Sequence, residues 1–223
     1  MRNAASRTLF RRRSNRRLAV FALVLLALGV IAPITLRAAS LLPREGAPSV
    51  VAHSTPREDW RAGEVPYLYQ TDPDWSQEPY AGGTIEKNGC GPTCLSMVYV
   101  ALTGRTDRGP QEMAAFSELG GYTVDDMTAW ALMTDGAAEL GLTSEQLPAS
   151  EGAVREALAA GSPVICSVGP GDFTSSGHFI VLAGVTSDDQ VVVHDPNSQE
   201  RSERTWDLEH VLGQCVNLWA FSV

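Results

Sequence analysis

Two cysteines lie four residues apart in the stretch EKNGCGPTCLSMVYVALTG, at the head of an apolar segment. Pro92 suits the first turn of a helix and Gly104 suits its end, so the pattern predicts a helix from about residue 91 to 102 with Cys90 at its N-terminus. The unpaired N–H groups and the dipole of a helix N-terminus stabilise an anion, which favours the reactive thiolate of Cys90. Cys94 lies one turn further in, on the apolar face, where burial raises the pKa of a thiol. The sequence therefore predicts two thiols of very different reactivity, with Cys90 as the candidate nucleophile.

Other uses of this cysteine pair compete with that interpretation. A redox couple needs a C-x-x-C spacing, and Thr93 adds one residue to it. A disulfide between residues one helical turn apart would be strained, because the two side chains point the same way. A zinc site needs a second Cys/His pair at finger-like spacing, and the sequence has none. These observations favour a nucleophile, while a buried structural thiol, a metal site and a redox pair remain open.

A cysteine nucleophile needs a base and a group that orients the base. The sequence offers four histidines, His53, His178, His194 and His210. His178 is the favoured base because it opens a predicted strand, and Asp195 closes the next strand before Pro196. A bulged or three-residue turn near Ser187 would place the two side chains opposite each other, whereas a turn at SDDQ would put Asp195 opposite Leu182. The alternative is a structural histidine followed by an ordinary Asp-Pro turn.

Gln70 is the fourth candidate site residue. It ends the short extended segment VPYLYQ and precedes Cys90 in the chain. Its side-chain amide is a hydrogen-bond donor, and with the backbone N–H of Cys90 it would complete an oxyanion hole. The alternative is a loop glutamine that only meets water.

The remaining pattern predicts helices early in the domain and strands late in it. Predicted helices cover 91–102, 110–119, a stretch from Asp125 or Asp126 to about Leu140, a stretch capped by Ser150 and ended by Gly161, and a short one at 205–213. Predicted strands cover 163–169, 178–186, 190–195 and 215–223. This order indicates an α+β domain with an antiparallel sheet.

The N-terminal segment, residues 1–40, is predicted to be a signal peptide or signal anchor. Its first 17 residues hold seven arginines and no acid, and the apolar run that follows, Leu18–Leu36, carries no charge. Cleavage at the sequence AAS and retention in the membrane are both open, and either outcome places the rest of the chain outside the cytoplasm. Residues 41–62 lack apolar periodicity and are predicted to be a linker, so the domain is expected at 63–223.

The charge of the exported part restricts its partners. From Leu41 onward the chain carries 9 lysines and arginines against 26 acidic residues, a formal net charge of −17. Such a surface is a poor partner for nucleic acid or anionic lipid. It favours a neutral or basic substrate, or it only keeps the domain soluble.

Cys166 and Cys215 both fall in predicted strands, and adjacent buried thiols are favoured over the disulfide that export permits.

Three stretches taken in order resemble one known family. The sequence VPYLYQTDPDW…PYAGGTI…NGCGPTCLSMV, followed by FTSSGHFIVLAGV and then VVVHDPN, is similar to papain-like cysteine peptidases of the bacteriocin-processing family C-thirty-nine. It is most similar to the stand-alone exported C-thirty-nine-like domains, and the match spans about residues 65–223. The sequence departs from leader-processing members in the roughly twenty residues between Gln70 and Cys90, where those enzymes have far fewer.

The resemblance implies a papain-like fold, in which an N-terminal nucleophile helix packs on an antiparallel sheet that carries the base. It implies Cys90 as nucleophile, His178 as general base, Asp195 as orienting carboxylate and Gln70 as oxyanion-hole donor. The expected activity is hydrolysis of peptide or other amide bonds, on a peptide, a protein or a cell-wall peptide. No metal or organic cofactor is implied, a monomer is favoured, and membrane contact is expected only through the N-terminal segment. The competing interpretation is a non-catalytic surface module that binds peptide or cell-wall ligands.

Overall fold

The computed structural model describes residues 52–223, so the export segment predicted at residues 1–40 lies outside the described part of the chain. The helices are α1 (Ile85–Asn88), α2 (Cys90–Thr103), α3 (Pro110–Leu119), α4 (Asp135–Glu139), α5 (Glu151–Ala159), α6 (Gln199–Ser202) and α7 (Leu208–Leu212). The strands are β1 (Pro79–Tyr80), β2 (Gly83–Thr84), β3 (Thr123–Val124), β4 (Met127–Thr128), β5 (Thr143–Gln146), β6 (Val164–Val168), β7 (His178–Val185), β8 (Val191–His194), β9 (Thr205–Trp206) and β10 (Cys215–Ser222). None of the helices in residues 52–223 has the length and apolar character needed to span a membrane.

Six of the strands form one antiparallel sheet in the order β5-β10-β6-β7-β8-β9. The strands β1 and β2 form a separate small hairpin, as do β3 and β4. The predicted α+β class with an N-terminal helix and an antiparallel sheet is confirmed. The hairpin β1–β2 and helix α1 fill much of the long interval between Gln70 and Cys90.

Both faces of the sheet are buried, which explains why its central strands are apolar without a break. On β7, Phe179 and Val181 pack into the core that contains α2. The alternate residues Ile180 and Leu182 pack into a second core formed with α5 and α7. Since successive side chains of a strand point to opposite faces, each face has its own helical cover.

Helix α2 matches its prediction closely and is almost wholly enclosed. It begins at Cys90, and the run from Gly91 to Ala101 is buried throughout. A helix that is apolar all round belongs inside a protein rather than on its surface. The chain leaves α2 at Gly104, whose φ of 67° is the left-handed conformation that commonly ends a helix.

The prediction of one helix from Asp125 or Asp126 to about Leu140 is wrong. Asp125 and Asp126 have φ values of 49° and 59° and form the turn of the β3–β4 hairpin. Aspartate tolerates this left-handed conformation better than most residues, so the pair acts as a hairpin turn instead of a helix cap. Only a 3₁₀ turn at Trp130–Met133 and the short helix α4 follow.

The later half of the predicted linker packs against the domain. The Trp60 side chain is buried, and its indole N–H donates to the carbonyl of Thr55 at 2.8 Å. The backbone N–H of Thr55 donates to the carbonyl of Tyr67 at 2.7 Å, and the N–H of Ser54 donates to the Asp72 carboxylate at 2.6 Å. This packing leaves no signal in the sequence, because a segment held by side-chain and single backbone hydrogen bonds has no apolar periodicity.

Candidate active site

Cys90 is the first residue of α2 and its thiol is partly exposed. Burial by itself would raise the pKa of this thiol. Hydrogen bonding and charge from His178, together with the backbone N–H groups of Phe179 and Gly91, outweigh burial and lower the pKa below its usual value. The sulfur therefore lies where a thiolate is stabilised, at a helix N-terminus beside a cation.

Cys94 shows the opposite behaviour. It is fully buried, and burial together with the negative charges of Cys90 and Asp195 raises its pKa well above the usual value. These opposite pKa shifts agree with the contrast in reactivity predicted for the two thiols, which stays a prediction.

The two glycines beside Cys90 are explained by packing. A Cβ atom at Gly91 would lie 2.5 Å from the methyl carbon of Thr128 on β4. A Cβ atom at Gly89 would lie 2.6 Å from the carbonyl oxygen of Ile85. Neighbouring elements thus approach the backbone on both sides of the nucleophile, and only glycine leaves room for them.

His178 opens β7 as predicted, and its side chain is 6% exposed. The ring Nε2 atom lies 2.8 Å from Oδ1 of Asp195, and the Cys90 thiol is the other group that interacts with the ring. Burial by itself would lower the pKa of His178, but the hydrogen bond with Asp195 and the interactions with the Cys90 thiol and the Asp195 charge raise it to about 9. A pKa of about 9 favours the imidazolium at neutral pH, beside a Cys90 thiol whose own pKa is lowered.

Asp195 follows β8 and its side chain is fully buried. Oδ1 accepts hydrogen bonds from Nε2–H of His178 and from the backbone N–H of Asn197, both at 2.8 Å. Oδ2 accepts from Nε–H of Arg201 at 2.5 Å. Burial alone would raise the pKa of this carboxyl, but His178 and Arg201 hold it below its usual value.

Neither of the two hairpin registers considered from the sequence is observed. Near the turn Val185 pairs with Val191, and after a bulge Val181 pairs with His194. Continuing that register by one residue places Asp195 beside Ile180, two residues from His178. Diagonal neighbours on one face of a sheet are within reach of long side chains, which is how the carboxylate meets the imidazole.

Gln70 contacts the residue after Asp195 through its backbone and helix α1 through its side chain, and it makes no hydrogen bond with Cys90 or His178 among the described residues. Its backbone N–H donates to the carbonyl of Pro196, directly after Asp195, at 2.7 Å. Its buried side-chain amide donates to the carbonyls of Glu86 at 2.6 Å and Ile85 at 3.4 Å. The amide oxygen is buried and has no hydrogen-bond partner among the described residues.

The other three histidines lie apart from this constellation. His53 is exposed, and Nε2 of His210 lies 2.7 Å from the carboxylate of Asp172 at the surface. His194 is buried, donates through Nδ1 to the carbonyl of Pro66 at 3.2 Å, and stacks on Tyr67 with ring centroids 3.8 Å apart. Burial lowers the pKa of His194 to about 4.

This pKa predicts an acid-sensitive contribution to stability. The unfolded chain binds a proton on His194 near pH 6.5, but the folded chain does so only near pH 4, so acidification favours unfolding. The free energy of unfolding should be fully retained above pH 6.5 and fall by about 3 kcal/mol as the pH drops through 4. Urea unfolding of the wild type and of His194→Phe, which keeps a ring against Tyr67, measures this difference. Equal pH dependence of the two proteins between pH 6.5 and 4 would contradict it.

Cys166 and Cys215 are both free thiols and lie on the neighbouring strands β6 and β10. The two thiols act on each other's pKa, which is raised for Cys166 and lowered for Cys215, and the thiol of Cys215 donates to the carbonyl of Val211 at 3.4 Å. Of the two arrangements considered from the sequence, adjacent thiols are the one observed.

The model of the Peptidase_C39 like family matches residues 63–220, which is most of the chain. The chain belongs to this family. The predicted cysteine peptidase-like hydrolase is confirmed at that level, and a papain-like fold agrees with the observed helix and sheet.

Two solved structures are similar to this Peptidase_C39 like protein. One is the peptidase domain of Streptococcus ComA, described as a bi-functional ABC transporter involved in a quorum sensing pathway, with 19% identity and a TM-score of 0.45 over 60% of this chain and 90% of that chain. The other is a putative C39-like peptidase from Bacillus anthracis, with 15% identity and a TM-score of 0.37 over 76% of this chain and 98% of that chain. No curated protein matches the chain.

Proposed function

We propose that this protein is an exported thiol hydrolase that cleaves peptide or other amide bonds through Cys90, His178 and Asp195. The observation that supports this most is that the buried Asp195 carboxylate lies 2.8 Å from the His178 ring, and that this ring is the leading cause that lowers the pKa of the Cys90 thiol at the N-terminus of α2. Export is supported by the arginine-rich, then apolar, N-terminal sequence.

In the proposed reaction the Cys90 thiolate attacks the carbonyl carbon of the substrate, and the carbonyl oxygen takes the negative charge. As the tetrahedral intermediate collapses, the imidazolium of His178 gives its proton to the leaving amine and the C–N bond breaks. The neutral imidazole then accepts a proton from water, whose oxygen attacks the thioester. The acid product leaves and the thiolate–imidazolium pair is restored.

Two donors are proposed for the oxyanion. One is the backbone N–H of Cys90, because the first N–H groups of a helix have no partner within the helix. The other is the side-chain amide of Gln70. Its contact with Ile85 at 3.4 Å is long and weak, so this second N–H is the one assigned to the oxyanion.

A covalent label tests this proposal without a known substrate. Treatment of the protein with an epoxysuccinyl peptide, a thiol-directed inhibitor of cysteine peptidases, should give one adduct per chain, located at Cys90 by peptide mapping. Cys215 is partly exposed and serves as an internal comparison within the same molecule. No adduct, or an adduct only at Cys215, would support the non-catalytic binding module instead.

The substrate class is tested next by hydrolysis. Peptide libraries and purified cell-wall material, each incubated with the protein before and after labelling, distinguish a peptidase from a cell-wall amidase. New amine termini that form only with the unlabelled protein are the expected result in one of the two substrates.

A further inference from the structure

The buried carboxylate of Asp195 has a second cationic partner besides His178. Arg201 lies on α6, six residues further along the chain, and its Nε–H donates to Oδ2 of Asp195 at 2.5 Å. His178 occupies the other oxygen, Oδ1. The two cations therefore bind opposite oxygens of a carboxylate whose side chain has no exposure to solvent.

The turn that carries Arg201 is itself fastened to Asp195. The backbone N–H of Asp195 donates to Oγ of Ser202 at 2.9 Å, and that hydroxyl donates to the carbonyl of Ser198 at 2.8 Å. Ser198 caps α6 by accepting from the N–H of Arg201 at 3.2 Å. The indole N–H of Trp206 donates to the carbonyl of Arg201 at 3.0 Å. Four local hydrogen bonds thus hold the turn and the backbone of Arg201 in place, and the guanidinium reaches Asp195 from this fixed backbone.

The charges around Asp195 come from four parts of the structure. The titratable groups that face it are His178 on β7, Arg201 on α6, Tyr69 in the extended segment and Cys94 on α2. Burial raises the pKa of Tyr69 to about 12 and that of Cys94 well above its usual value, so both are neutral near pH 7. One carboxylate therefore meets one imidazolium and one guanidinium; the His178 ring also interacts with the Cys90 thiol, and the Glu203 carboxylate acts on Tyr69.

We propose that Arg201 is a positioning residue of the active site, which holds Asp195 in place and balances its charge, so that the carboxylate orients His178 without repelling the Cys90 thiolate. This inference rests on the proposed function. Without the guanidinium, Asp195 would present a full negative charge to both members of the ion pair. It would also lose the partner that fixes its second oxygen.

The pH dependence of Cys90 alkylation tests the role of Arg201. The rate of iodoacetamide labelling at Cys90, resolved from the other cysteines by peptide mapping, follows the thiolate fraction. In Arg201→Gln the loss of a nearby positive charge should move the midpoint of this curve upward by about half a unit to one unit. On the acidic side of the curve, the labelling rate should fall by about three- to ten-fold.

Three further variants separate charge from structure. Arg201→Lys keeps the positive charge, so its midpoint should lie close to that of the wild type. Arg204→Gln removes a neighbouring exposed arginine that stacks on Trp206, and it should leave the curve unchanged. In an Asp195→Asn background the guanidinium has no carboxylate to balance, so adding Arg201→Gln should move the midpoint by much less than the same substitution does in the wild type. Far-UV circular dichroism confirms that each labelled variant is folded.

The outcomes distinguish the two proposals. If Cys90 of the wild type is not labelled preferentially, the proposed function fails. If the wild type is labelled at low pH but Arg201→Gln leaves the midpoint unmoved, only the role of Arg201 is overturned. A shift of equal size in Arg201→Lys or in Arg204→Gln would also overturn it, because charge balance at Asp195 would not then be the cause. Should Arg201→Gln not fold, the Arg201→Lys variant and the double variant decide the question.

Discussion

Replacement of Cys90 by alanine is expected to abolish both amide hydrolysis and low-pH labelling by iodoacetamide. The thiol lies at the N-terminus of α2 with its pKa lowered by His178 and by backbone N–H groups. Of the other thiols in residues 52–223, Cys94 and Cys166 have raised pKa values, and the lowered pKa of Cys215 is due to Cys166; peptide mapping therefore reads the labelling of residue 90 separately. Loss of a nucleophile typically lowers kcat on the order of 10⁴-fold or more. The measurement is turnover of the best substrate from the library, together with mapped alkylation at pH 6.

Cys94→Ala is the matched control for this variant. It removes a thiol from the same helix, one turn away, at a fully buried position where the pKa is raised. We expect it to retain hydrolysis and Cys90 labelling, with a modest loss of stability from the small cavity it leaves. Hydrolysis that survives in Cys90→Ala, or labelling that moves to Cys94, would reverse the assignment of nucleophile.

Replacement of His178 by glutamine should have the second largest effect. It removes both the proton donor to the leaving amine and the cation that stabilises the thiolate, so kcat should fall by about 10²–10⁴-fold. The labelling midpoint of Cys90 should rise by more than one unit, since hydrogen bonding and charge from His178 are the leading causes that lower the thiol pKa. In the wild type the alkaline limb of kcat/KM should lie near pH 9, where the imidazolium loses its proton.

His210→Gln provides the comparison for the His178 variant. His210 is an exposed histidine that pairs with Asp172 at the surface, so its loss removes an imidazole without touching Cys90. We expect the pH profile of this variant to overlay that of the wild type. An unchanged Cys90 midpoint in His178→Gln would show that the ion pair does not form, and the proposed mechanism would then be incorrect.

The extent of α2 and the choice of Cys90 over Cys94 could be predicted because both depend on local signals. A proline in the first turn, a glycine at the end and an apolar run between them specify the helix within one chain segment. The helix at 110–119 was predicted with its observed bounds for the same reason. The Asp125–Asp126 turn shows the limit, since an aspartate before an apolar segment fits a helix cap and a hairpin turn equally well.

Periodicity, caps and turn residues are local features, and they specify the class of the fold, helix α2 and the set of polar residues from which a site could be built. How those residues meet depends on contacts between distant segments. The bulge in β7–β8 sets the diagonal approach of Asp195 to His178, and α6 brings Arg201 to the far carboxylate oxygen. Both depend on how separate segments pack against each other, and strand register and side-chain reach are fixed by that packing rather than by any local pattern.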